Sequence, residues 1–255
     1  MLLRSKIVVI VGIIITVSTF TIWMTFFSSQ YKNSQNDHSM DAQQYSYLDG
    51  HKIETIIRPP EKIPFYLIPM IWIADKRAKK KMLTGRLLAW SPRIGIGSGL
   101  LEQLIEDGAA HSLDHRLIKL LRMQVSFIVP SAFAIDINSV NYENFDITVE
   151  EIEGLQGLNE IELIDSFSKK EKLALLYARQ LSKTPIILNP NLRIEIQQGF
   201  EPKEIVGIAS LVAKVNYWAR LIEALGVQPA GFSDGYSILQ TEKYKTIRRH
   251  SDINR

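Results

Sequence analysis

No residue in this 255-residue chain can form a thiolate, because the sequence holds no cysteine. Disulfide exchange, thiolate metal sites and a disulfide scaffold are therefore excluded for its own side chains. The residues left for chemistry are few and scattered. His111 and His115 stand four apart with Asp114 between them, a spacing that suits a metal pair or an acid–base pair if one helix carries both. Leu113-Asp114 reads as a helix entry, however, so a solvated pair is expected and no metal site or cofactor is predicted. Ser131 would need an adjacent base to become a nucleophile. Its neighbours Val129, Pro130, Ala132 and Phe133 offer none, so a helix cap or a packing role is expected. Asp136 and Asn138 are polar positions on an otherwise apolar stretch, where they either line a site or bond nearby backbone. Asn216, Tyr217, Trp218 and Arg220 form a polar–aromatic group in which Arg220 could hold an acidic ligand, with packing the expected use. Gly95, Gly97 and Gly99 alternate without a preceding strand or a following Lys-Ser/Thr. They read as a flexible turn before a helix starting near Leu100, and no phosphate loop is expected.

These residues need elements to hold them, and the N-terminal element is of another kind. Arg4 and Lys6 precede an uncharged apolar run from Ile7 to Phe27. At ~1.5 Å per residue it reaches ~31 Å, enough to span a bilayer and longer than the ~7–15 apolar residues of a cleaved signal. The charge distribution predicts a single-pass anchor with a cytoplasmic N-terminus and the main domain on the extracytoplasmic side. Residues 29–82 read as a polar tether and connector. Within them, Ile63 to Ile73 is apolar but too short to span a membrane, and Lys76, Arg77, Lys79, Lys80 and Lys81 follow it. The segment is either an interfacial stretch lying on anionic lipid or a buried connector with a solvated helix face, and the second is preferred. The net charge of +3 and the absence of a basic stripe interleaved with aromatics argue against a nucleic-acid partner. The tail, residues 236–255, reads as solvated or membrane-adjacent.

Between connector and tail the apolar spacing is helical. Leu117, Leu120, Leu121, Val125 and Ile128 form one stripe; Leu173, Ala174, Leu176, Tyr177 and Leu181 form another. A third runs from Ile205 through Ile208, Ala209, Val212, Val215, Ala219 and Ile222, with Pro202 at its start and Gly226 at its end. No convincing period-two alternation is present, so an all-α domain over residues 83–235 is predicted.

The stretch Leu121-Arg122-Met123-Gln124-Val125-Ser126 continues through Val129-Pro130-Ser131-Ala132-Phe133-Ala134-Ile135-Asp136-Ile137-Asn138. It resembles the signature of the alkylhydroperoxidase-like, or carboxymuconolactone decarboxylase, family. Leu173 to Arg179, Thr184-Pro185, Asn216 to Arg220 and Leu225 to Phe232 extend the resemblance over roughly residues 83–234. The resemblance implies an all-α homo-oligomer with a Cys-x-x-Cys redox pair, a histidine and a glutamate. Here the cysteine positions fall on Ser131 and Ala134, the histidine position on Asn138 and the glutamate position on Lys119. The implied reading is a membrane-anchored relative without thiol peroxidase activity, kept as a binding or assembly module for a partner or small ligand. Two alternatives stand beside it. One is a thiol-free, decarboxylase-like enzyme using His115, Asp136, Asn138 and Arg220; the other is a cysteine-free variant of a peroxidase.

Overall fold

The computed structural model describes residues 45–48 and 51–233. The expected membrane segment at 7–27 and the basic tail beyond 235 lie outside the described residues. Two compact units are present, one of residues 58–96 and one of residues 45–57 with 97–233.

The larger unit is built around helix α4, His115–Ile128. Asp114 caps it, accepting from the backbone N–H groups of Arg116 and Leu117, which satisfies donors that no intrahelical carbonyl can reach. Its stripe of Leu117, Leu120, Leu121 and Val125 is buried, each leucine removing enough apolar surface to stabilise the fold by ~1.5–3 kcal/mol. Around α4 pack α5 (Ala132–Asn138), α6 (Val149–Gln156), α7 (Lys169–Ser182) and α9 (Pro202–Leu225). Helix α8 (Pro190–Gly199) lies against α7 and α9. Among the described residues, α9 is the one helix long and apolar enough to cross a membrane. Its apolar face is instead used inside this unit, with Ile208, Leu211, Val212, Val215, Ala219 and Ile222 buried and α4 and α7 against it. Pro202 opens the helix and Gly226, at φ 71°, closes it in the left-handed conformation that glycine adopts without steric cost.

The smaller unit holds α1 (Ile68–Ala78) and α2 (Leu83–Leu87). Arg86 is buried and grips Asp75 through two hydrogen bonds, at 3.0 and 2.7 Å.

The domain is all-α, as its periodicity predicts, with two local departures. Helix α3 runs from Pro92 to Ser112, straight through the three alternating glycines expected to form a turn. Pro92, at the first helical position, supplies the start that Leu100 was expected to give. Glycine lowers helix propensity by ~1 kcal/mol, a cost that tertiary packing overrides; Ser98, between two of these glycines, is buried and hydrogen-bonds the Tyr217 hydroxyl at 2.6 Å. The second departure lies in the expected tether: strands β1 (Tyr45–Leu48) and β2 (His51–Glu54) pair antiparallel with Leu48 opposite His51. The two intervening residues, Asp49-Gly50, are a strong hairpin dipeptide. After the hairpin, the Ile56 N–H bonds the Leu225 carbonyl at 3.2 Å.

Candidate functional site

Helix α5 carries the positions of greatest chemical interest. It is short, and Ser131 starts it. The hydroxyl accepts from the Ala134 N–H at 3.3 Å, so the residue pair i and i+3 is joined by a cap. Ser131 is wholly buried, and so, to within a few per cent, are Ala134 and Phe133. Among the described residues no hydrogen bond joins the Ser131 hydroxyl to a histidine or carboxylate that could take its proton.

Asn138 closes the same helix, and it is joined to charge. Its Nδ2 donates to the Ser126 hydroxyl at 2.8 Å, and its Oδ1 accepts from Arg122 Nε at 2.9 Å. The Ser126 hydroxyl in turn donates a hydrogen bond to the Arg122 carbonyl at 2.8 Å. Arg122 also reaches Glu106 on α3 at 2.8 Å. Glu106 in turn bonds the buried ammonium of Lys214, which holds Glu102 at 3.1 Å; Glu102 accepts from the Trp218 indole at 2.8 Å. Side chains from α3, α4, α5 and α9 thus form one continuous chain ending on Asn138. Burial pulls the Glu106 carboxyl upward, but Arg122 and Lys214 outweigh it and hold it below the ordinary carboxylate range.

Lys119, one turn before Arg122 on α4, donates to the Val140 carbonyl at 2.6 Å and lies 5.6 Å from the centre of the Phe145 ring. Burial, reinforced by the positive Arg122, lowers its ammonium to about 8, with Glu143 opposing. Near neutral pH this lysine is therefore poised to lose its proton far more readily than a solvated one.

Asp136 is spent differently. Its carboxylate, fully buried, accepts from the N–H groups of Ala230, Phe232 and Ser233 at 3.1, 2.9 and 2.8 Å and from the Ser233 hydroxyl at 3.0 Å. Phe232 meets the Phe133 ring edge-on, with centroids 5.5 Å apart. The segment after α9 is in this way strapped to α5, and Asp136 is its buckle.

Arg122, Ser126 and Asn138 come together, whereas His115, Asp136 and Arg220 are joined to one another by no hydrogen bond among the described residues. His111 ends α3 and bonds the Asp107 carbonyl, while His115 begins α4. Both are exposed and they occupy two helices, so the single-helix pairing is not formed. Arg220 is exposed and touches Thr184. No cluster of three or more metal-ligating side chains occurs among the described residues. Sequence reasoning passed over Glu102, Glu106 and Lys214. The signal was available in Lys214 itself, a cation interrupting the most apolar helix. Gln124 was missed as well: its side chain is completely buried and neither amide atom has a hydrogen-bond partner among the described residues.

No family model matches this sequence, and no curated protein matches it. Solved structures do. A cysteine-to-alanine variant of the debrominase Bmp8, in complex with 2,3,4-tribromopyrrole, superposes with a TM-score of 0.62 at 16% identity, covering 73% of this chain and 98% of that one. A peroxidase-related protein from Silicibacter sp. TM1040 gives 0.56 at 13% identity, over 69% and 91% of the two chains. An alkylhydroperoxidase AhpD core protein from Ralstonia eutropha JMP134 gives 0.55 at 13% identity, over 69% and 92%. The fold of this chain is the alkylhydroperoxidase-like fold.

Proposed function

We propose that the protein is a member of the alkylhydroperoxidase-like family whose redox centre has been replaced, serving as a membrane-anchored, non-redox binding or assembly module. The observation that carries this reading is the state of Ser131 and Ala134. They stand where the sequence resemblance puts the redox pair, and the hydroxyl of Ser131 there caps α5 by accepting from the Ala134 N–H. The other two positions are equally committed. Asn138 is bound to Arg122 and Ser126, and Lys119 is bound to the Val140 carbonyl. The proton-relay positions that the resemblance implies act in this reading as a scaffold. The buried Gln124 amide, unpartnered among the described residues, is a polar group that a small ligand could engage. In this reading residues 7–27 anchor the chain once, with the N-terminus cytoplasmic and the domain on the extracytoplasmic side, and the domain forms a homo-oligomer.

The test is peroxide reduction by the full chain with a dithiol reductant, as written and with Ser131→Cys plus Ala134→Cys. The expected result is no turnover by the chain as written and measurable turnover by the double variant. Turnover by the chain as written would overturn the reading and direct attention to a thiol-free mechanism.

A further inference from the structure

Helix α1 has two apolar faces, and its own unit uses one of them. Leu67 and Ile71, one turn apart, are buried with Ala89, and Ile63 and Ile96 pack against them. That stripe accounts for the helix. On the other side Tyr66, Met70, Ile73 and Arg77 follow one another at spacings of four, three and four, which places them on one face. Tyr66 is 49% exposed and Ile73 44%, and Phe65, packed edge-on against Tyr66, is 56% exposed. Large apolar side chains left half in water in this way contribute little to folding the unit.

The charge of the same segment is as uneven. Residues 58–96 carry nine Lys or Arg and two Asp or Glu, a net of +7, whereas the whole chain is only +3, so the other 216 residues sum to −4. One of the two acids, Asp75, is neutralised within the unit by Arg86. Lys76 and Arg77 suit the C-terminal turn of α1, where they face the negative end of the helix dipole. Lys79, Lys80 and Lys81 lie past that turn, and the dipole does not call for them. Lys76 also sits over the Trp72 ring, 5.2 Å from its centroid, so a cation and an aromatic body are presented together.

A solvated basic face has no need of exposed Phe65, Tyr66 and Ile73, and an apolar protein-docking face has no need of the five cations Lys76, Arg77, Lys79, Lys80 and Lys81 that follow them. We propose that the Phe65–Lys81 face binds the surface of an anionic bilayer, its aromatic and isoleucine side chains entering the headgroup layer and its lysines meeting lipid phosphates and carboxylates. This inference stands on residues 58–96 alone and does not rest on the transmembrane anchor.

Amide hydrogen exchange of the full chain, on vesicles of phosphatidylcholine alone and with about 30% phosphatidylserine, tests it. The expected result is at least tenfold slower exchange over residues 65–81 on the anionic vesicles. High salt should restore the faster exchange. Ile73→Ser combined with Lys76→Glu and Lys79→Glu should abolish the protection, while α2 of the same unit exchanges in lipid-free buffer as in the unsubstituted chain and so reports an intact fold. Equal protection on both vesicles, or protection that survives the triple substitution, would overturn the proposal. So would protection by a DNA duplex in lipid-free buffer with none from anionic vesicles. The anchor is scored separately: a chain extracted from vesicles by high salt contradicts the anchor, and its lipid-dependent protection at low salt still supports the surface.

Discussion

The Arg116 cluster and the Lys214 cluster draw on the same residue types and bury opposite partners. Arg116 on α4 binds Glu151 of α6 at 2.6 Å, Glu171 of α7, and the Phe145 carbonyl at 3.1 Å. There the carboxylates are the hidden members: the Glu151 side chain is 0% exposed and Glu171 14%, against 24% for Arg116. In the other cluster the cation is hidden, Lys214 at 1%, while Glu102 and Glu106 each keep 34% of their side chains in water. A network is as fragile as the charge it would strand, so the two should answer removal of their cation in opposite ways. The first cluster is a staple for the scaffold. The second is linked to Asn138 through Glu106 and Arg122 and is expected to change at less expense to the fold.

Removing the Arg116 guanidinium gives the largest effect. Arg116→Ala leaves Glu151 buried and facing no cation, and the expected loss is about 3–5 kcal/mol of unfolding free energy. Urea denaturation at neutral pH measures it. A loss below about 1 kcal/mol would show that Glu151 is supported by its backbone bond to Thr148 alone and would erase the contrast between the clusters.

How much of this was legible in the sequence depends on whether the signal was local. The stripes of α4, α7 and α9, the helix entry at Leu113-Asp114 and the Pro202 and Gly226 boundaries are local, and the structure has them all. The capping boxes Thr148-x-x-Glu151 and Ser168-x-x-Glu171 are local too. That both glutamates turn onto one arginine is not, because 35 and 55 residues separate them from it. The alternating glycines misled because glycine signals backbone freedom and says nothing of the helix that packing imposes on it. Asp49-Gly50 was readable and was passed over within a polar stretch. At the site, Ser131 as a cap was foreseeable from its place after Pro130. The route from Asn138 to Lys214 was not, since Lys214 and Glu106 lie 108 residues apart.

Lys119 sharpens the comparison from the side of pH. Its folded-state value of about 8 lies below the ordinary 10.5. Between the two the unfolded chain binds more protons, so this residue makes stability rise as pH climbs from about 8 to 10.5. Below that window the folded protein carries the whole penalty of a buried charge. Lys119→Met should therefore stabilise the protein at pH 7 by about 1–2 kcal/mol, the part of the desolvation penalty left after the bond to Val140 is lost, and should flatten the rise. Denaturation at a series of pH values checks both. Destabilisation at pH 7 would mean that the Val140 contact outweighs desolvation.

Lys214→Met is expected to have the smallest effect, although Lys214 is among the most deeply buried side chains of the domain. Methionine matches the length of the aliphatic stem and fills the same space between α3 and α9. The substitution removes the hidden charge itself and strands none, for Glu102 and Glu106 already reach solvent and Glu106 keeps Arg122. The two carboxylates then repel each other, and the hydrogen bonds to the ammonium are gone. Against those losses stands the relief of a buried ammonium's desolvation, and the net change should fall within about 1 kcal/mol of zero. Thermal unfolding beside Arg116→Ala under the same conditions makes the comparison direct. A loss as large as that of Arg116→Ala would show that the Lys214 cluster is a scaffold staple as well.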